Sequence, residues 1–202
     1  MKEVYFHEDD YCQIELAPIE NEEFIKQEID AINGFFEEHK VPNGIGWTEM
    51  YMRKEPQRTL KDLKISIKEF DENIGNLIGK YDIVYSGYST YREECKSTNG
   101  YGDDQVKFFI EHNEGIITNF WFDFLLADED TAIKLNDILK LITNHYDLLF
   151  VHWPWGFYSR PKRDDNLLKT LKDTSNELKI KLDEVNNSKN NKRKKKWWEF
   201  WK

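Results

Sequence analysis

The sequence predicts an α+β fold in a single domain, an antiparallel or mixed sheet packed by about four helices and followed by a basic C-terminal tail. Three observations predict it. Apolar residues alternate with other residues at Cys12–Leu16 and through Val106–Leu126, the two-residue period of strands. They recur three and four apart at 24–36, 60–77 and 133–142, the period of helices. Finally, the two kinds alternate without the regular β-α-β rhythm of a parallel sheet, so helices are expected on one face of the sheet.

Taken in order, Val4–His7 and Cys12–Leu16 read as two short strands joined by the acidic turn Glu8-Asp9-Asp10. Cys12, Ile14 and Leu16 point inward, Gln13 and Glu15 outward. Asn21 caps a helix with Glu22 and Glu23 in its first turn, where acids suit the dipole. Its stripe is Phe24, Ile25, Ile29, Ile32, Phe35 and Phe36, and it stops near Pro42-Asn43-Gly44. Trp47–Met52 reads as a strand. Thr59-Leu60-Lys61-Asp62 is a capping-box pattern that opens a helix with Leu60, Leu63, Ile67, Phe70, Ile74 and Leu77 on one face.

Asp82–Gly87 is the next strand, and the turn formers of 86–104 predict a long surface loop. Val106–His112 and Ile116–Leu126 flank Asn113-Glu114-Gly115 as a hairpin. A helix from Asp130 carries Ile133, Leu135, Ile138, Leu139 and Ile142 and precedes the apolar strand Leu148–Trp153. A last helix over about 164–185 carries Leu167, Leu171, Leu178, Leu182 and Val185. The domain is placed at 1–188 and the tail at 189–202.

At 202 residues a single core suffices, and 30 aromatic residues supply much of its area. Cys12 and Cys95 lack the spacing of a disulfide framework, zinc site or redox motif, which fits a reducing compartment. Acids arrive before any signal-peptide core and no run reaches the ~18 apolar residues of a membrane span, so the chain is expected in the cytoplasm. The net charge of −9 conceals a division. Residues 189–202 hold seven of the 29 Lys/Arg and one of the 38 Asp/Glu, leaving 22 bases against 37 acids, or −15, in the body. Such a body repels nucleic acid and attracts basic partners.

No stretch carries a catalytic or nucleotide motif, and Gly44-Ile45-Gly46-Trp47 has too few glycines to cradle a phosphate. His7, Glu8, Asp9 and Asp10 are the residue types of a metal site or acid/base pair. Neighbours in a chain diverge, however, and no His-rich element completes a ligand shell, so neither metal nor cofactor is predicted. The acids are assigned to partner docking. In 152–163 the aromatics Trp155, Phe157 and Tyr158 stand beside Arg160 and two prolines, the composition of a binding hot spot. The partner-binding residues expected are thus Glu8, Asp9, Asp10, Asp103, Asp104, Trp155, Phe157, Tyr158 and Arg160. The alternative, a small hydrolase-like enzyme, would use His7, Glu8 and Asp10, or Asp103 and Asp104, as acid and base.

In the tail five consecutive bases, including Lys194, Lys195 and Lys196, precede Trp197, Trp198 and Trp201. Bases beside tryptophans suit peripheral contact with the inner face of a membrane, worth about 1 kcal/mol per base, or contact with a partner. Folding back on the acidic body and contact with nucleic acid are the other readings.

The segments Tyr5-Phe6-His7-Glu8-Asp9-Asp10-Tyr11-Cys12-Gln13-Ile14-Glu15 and Gly46-Trp47-Thr48-Glu49-Met50-Tyr51 belong to a small, acidic, aromatic-rich body. To about residue 185 that body resembles the immunity proteins of bacterial polymorphic toxin systems. The resemblance implies binding and neutralisation of a cognate, basic toxin. It carries no family site onto particular residues and leaves the tail unexplained.

Overall fold

The computed structural model describes residues 1–42, 46–88, 90–126, 128–177 and 179–180. The tail, residues 43–45 and the last predicted helix beyond 180 lie outside the described residues. Along the chain run β1 (Glu3–His7), β2 (Ile14–Pro18), α1 (Glu22–Glu38), α2 (Ile67–Phe70), α3 (Asn76–Ile78), β3 (Ile83–Tyr88) and β4 (Tyr91–Glu94). They are followed by β5 (Thr98–Gly102), β6 (Val106–Asn113), β7 (Ile116–Phe124), α4 (Glu129–His145), β8 (Leu148–His152) and β9 (Phe157–Ser159). Residues 167–177 are also helical. The content is α+β, but the described strands make two sheets: three strands in the order β1-β3-β4, and six, all antiparallel, in the order β5-β6-β7-β2-β8-β9.

Both faces of the larger sheet are covered, which corrects the expectation of helices on one face alone. On the first face, Leu16, Phe108, Ile110, Phe120, Phe122 and Phe150 pack with α4 and with Phe70, Ile74, Leu167 and Leu171. Tyr101, Phe108, Phe120 and Phe122 form a continuous aromatic stack with centroids 5.0, 5.2 and 5.4 Å apart in turn, each contact contributing about 0.5–1.5 kcal/mol beyond area burial. The opposite face has two coverings. Over β5–β7 lies the small sheet, and over β8 lies α1, whose Ile25, Ile29 and Ile32 meet Leu149, Val151 and Trp153.

Strand β1 spans several strands of the larger sheet. A Cβ at Gly100 on β5 would come within 2.8 Å of Val4 and 3.1 Å of Val84, while Phe6 meets Phe109 on β6 and Trp121 on β7. The glycines that suggested a loop at 86–104 therefore sit inside strands, where backbone must approach its neighbours closely, and the predicted loop is a β3–β4 hairpin followed by β5.

The capping box forms at Thr59 and Asp62, but the helix it opens is interrupted. Lys64 takes a left-handed conformation, Ser66 caps a second start, and a π-helical stretch at Asp71–Gly75 shifts the phase. In consequence Leu77 is exposed and Ile78 packs on the core. Trp47–Met52 is not a strand either. Trp47 makes a single bridge to Lys40, and the extended chain that follows is held by side chains: Glu28 accepts the Lys54 N–H at 2.8 Å, and Asn21 donates to the Arg58 carbonyl at 2.6 Å. Among the described residues no helix is long and apolar enough to cross a membrane.

Candidate protein-docking surface

The acidic turn is a single 3-10 turn, Glu8–Asp10, where the chain leaves β1, and His7 caps it by accepting the Asp9 N–H at Nδ1, 3.2 Å away. Strand β3 lies beside β1, so the tip of the β3–β4 hairpin reaches this turn. The Tyr88 hydroxyl donates to Asp9 at 3.2 Å and its ring meets His7 edge-on. The Tyr91 hydroxyl donates to Glu93 at 2.9 Å. By register Tyr88, Tyr91 and Glu93 share one face of the hairpin, and all three are exposed, as are Glu8, Asp9 and Asp10. The hydrogen bonds to Asp9 and Glu93 raise the two phenols above their ordinary range, so both remain neutral donors. Burial, then the carboxylate of Asp123, raises the Asp10 carboxyl.

Some acids elsewhere on the body carry a cation at close range. Asp71, Asp103, Asp123, Glu129 and Glu22 pair with Lys80, Lys134, Lys107, Lys172 and Arg160 respectively. Among the described residues no Lys or Arg nitrogen lies within 4.0 Å of a carboxylate of Glu8, Asp9, Asp10, Glu93 or Glu94; only His7 approaches, 3.5 Å from Asp9.

The remaining expected residues lie elsewhere. Asp103 shapes the β5–β6 turn, accepting the N–H groups of Gln105 and Val106 while ion-paired to Lys134 of α4; Asp104 is its neighbour in that turn. Lys2, just before β1, bonds the Gly102 carbonyl at 3.0 Å, so the extended run from Lys2 to Glu8, roughly 20 Å, separates this turn from the acidic one. Trp155, Phe157, Tyr158 and Arg160 lie at the far edge, where β9 pairs with β8. That segment is folded onto the body. Trp155 stacks on His152 at 3.7 Å, Phe157 and Tyr158 are half-buried against the core, and Arg160 makes a two-point bond to Glu22 that holds the Glu22 carboxyl below its usual range.

Two polar groups emerge that the residue pattern did not single out. Tyr11 donates to Glu111 at 2.7 Å, and Asn119 donates to both, at 2.8 and 2.6 Å. Beside it, where the two coverings of the larger sheet meet, Glu15 accepts from Trp153 Nε1 at 2.6 Å and from Arg53 at 3.5 Å. Arg53 also donates to the Cys12 carbonyl at 3.0 Å. Burial raises the Glu15 carboxyl, against the opposing pull of Arg53 and Trp153. Burial, and then Glu15, also push the Cys12 thiol up, which makes it unreactive. Alternation along β2 sends Glu15 outward to solvent, and the structure corrects this by setting its carboxyl between Trp153 and Arg53; Arg53 stands in a segment without periodicity. Among the described residues no group of three His, Cys, Asp or Glu could hold a metal ion.

Comparison with protein-family models, with curated proteins and with solved structures finds no match to this chain.

Proposed function

We propose that this chain is a protein-binding module whose docking surface is the turn Glu8–Asp10 with Tyr88, Tyr91 and Glu93, and that its partner is a basic protein. The observation that carries the reading is the clustering of exposed carboxylates, Glu8, Asp9, Asp10 and Glu93, with exposed Tyr88 and Tyr91 between them and, among the described residues, no Lys or Arg nitrogen within 4.0 Å. Unpaired surface charge accelerates encounter with an oppositely charged partner, and tyrosines supply contact area at low entropic cost. Together with the likeness in size, acidity and aromatic content to bacterial immunity proteins, this favours neutralisation of a basic toxin acting in the same cell.

The test is binding to the basic protein encoded beside this gene, with E8K/D9K/E93K as the probe. These side chains are exposed, so the fold should persist. Association should slow at least tenfold and lose much of its salt dependence. Unchanged association would refute the surface, and a genomic neighbourhood without any toxin-like gene would refute the immunity reading.

The tail supports a second, separable reading as a peripheral membrane anchor, carried by its run of bases and three tryptophans. Charge reversal of Lys194, Lys195 and Lys196 should abolish co-sedimentation with anionic vesicles; unchanged partition would refute it.

A further inference from the structure

Strand β4 ends the small sheet, and all four of its residues are exposed. In an antiparallel ladder only every second residue directs its N–H and C=O at the neighbouring strand. The Cys95 N–H donates to the Val84 carbonyl at 2.9 Å, which sets the phase. With the register Tyr85↔Glu94 to Tyr88↔Tyr91, the residues bonded to β3 are Tyr91, Glu93 and Cys95. Arg92 and Glu94 therefore turn their backbone groups to an edge that no strand covers among the described residues, two donors and two acceptors placed for another strand. The outer edge of β5 differs. Residues 79–81 close it, with Tyr81 N–H on the Gly100 carbonyl at 2.9 Å and Gly102 N–H on the Gly79 carbonyl at 3.1 Å.

The charges around β4 select the occupant. Glu8, Asp9, Glu93 and Glu94 outnumber the nearby bases, Arg92, whose guanidinium lies over the Tyr5 ring at 4.8 Å, and Lys96 in the turn that follows β4. A second copy paired antiparallel through Arg92 and Glu94 would set Arg92 against Glu94 twice, but would also set two Glu93 side chains directly opposite, about 4.5–5.5 Å apart at Cβ, a repulsive pair, and would join two acidic bodies. A basic strand meets neither obstacle. We propose that β4 is a docking edge for an extended basic segment of a protein partner, which adds as a fourth strand by pairing with Arg92 and Glu94 while its Lys or Arg side chains meet Glu93, Glu8 and Asp9. The proposal rests on the reading of this acidic surface as the partner site and specifies how the partner is held.

Amide hydrogen exchange of the full chain tests it, with an acetylated Lys-Val-Lys-Val-Lys-Val amide as probe at low salt. A second peptide of equal charge carries N-methyl groups on the amides that would face β4. The unmodified peptide should slow exchange at Arg92 and Glu94 at least tenfold while Glu93 and Cys95 stay as they were, and the methylated peptide should not. Because the Glu94 N–H faces outward, E94P should keep the fold and lose the protection, whereas E94Q, with the same change of charge, should retain it.

Equal binding of both peptides without protection would overturn strand addition and leave the acidic surface as a partner site. Binding of neither would overturn both. Protection that rises with protein concentration in the absence of peptide would make a second copy the occupant and overturn the proposal. So would protection without peptide that K194E/K195E/K196E removes, since the chain's own basic end would then fill the edge.

Discussion

Replacing His152 with asparagine should flatten the acid side of the protein's stability profile. His152 ends β8 with its ring buried, stacked on Trp155 at 3.7 Å, and its Nδ1 accepts the Trp155 N–H at 3.3 Å. Burial disfavours the imidazolium and pushes the pKa down to about 4, against 6.5 for an ordinary histidine. Above pH 6.5 neither folded nor unfolded chain is protonated at this residue, and it exerts no pH effect. As pH falls through that value the unfolded chain takes up a proton that the folded chain refuses, so stability declines, and the decline ends once the folded ring protonates near pH 4. A tenfold difference in proton affinity corresponds to about 1.4 kcal/mol, which makes the loss about 2 kcal/mol at about pH 5 and about 3 kcal/mol below pH 4. Asparagine offers an acceptor near the Nδ1 position but cannot protonate. Near neutral pH H152N should be the less stable protein, by about 1–3 kcal/mol for the lost ring packing. In urea titrations between neutral pH and about pH 5 the gap should close by about 2 kcal/mol. Parallel profiles for the two proteins would refute the neutral, buried histidine.

Other substitutions probe the coverings of the larger sheet. G100A should lower stability by about 1–3 kcal/mol in thermal unfolding, because the added carbon would lie 2.8 Å from Val4 and the small sheet must lift. Y81F and Y101F remove the same atom with different results. The Tyr81 hydroxyl is buried without a partner among the described residues and its loss should change stability by less than about 0.5 kcal/mol, whereas Tyr101 donates to Asp71 at 2.7 Å and its loss should cost about 1–2 kcal/mol in denaturant titrations. R53M should destabilise by about 1–3 kcal/mol near neutral pH, since Glu15 loses its cation. Part of that loss should return on acidification, because a carboxyl already raised by burial protonates first in the folded chain; a deficit independent of pH would contradict the pairing.

Fold class and most element positions were legible because periodicity reports which side of an element meets apolar neighbours. It fails where the backbone changes phase. Two-residue alternation back from Leu126, Phe124, Phe122 and Phe120 picks out Ile116, yet Ile117 joins the core beside Phe120, because an irregularity pairs Glu111 with Asn119 and His112 with Ile117 and skips Thr118. A regular two-residue hairpin would set Glu111 against Thr118, so the Tyr11–Glu111–Asn119 group exists only through that irregularity, and nothing in the residue types announces it. The π-helical stretch at Asp71–Gly75 moves the next stripe by the same mechanism. The acidic turn was legible as composition, but Tyr88 and Tyr91 join it only through parallel pairing of β1 with β3, a contact 79 residues apart at Asp9.

Glu15 shows why charge in this chain must be sorted by partner and not by count. Its cross-strand row runs Gly100, Phe109, Trp121, Glu15, Val151, Tyr158 over the full width of the sheet, and Glu15 is the one carboxyl in it. A strand reading that expects one solvated face sends this side chain to water. With both faces covered it lies instead at the seam between the small sheet and α1, where Arg53 and Trp153 satisfy it. A carboxylate so placed cannot attract a partner, because its field is already cancelled at close range by a fixed cation. The same holds for Asp103 with Lys134 and Glu22 with Arg160. Attraction at a distance falls to acids such as those at the β1 turn and the β4 edge, which have tyrosine hydroxyls and a histidine for neighbours where the paired ones have lysine or arginine. At that corner, among the described residues, no Lys or Arg nitrogen stands within 4.0 Å of a carboxylate, so the local acidic excess is not cancelled at close range as it is at Glu15.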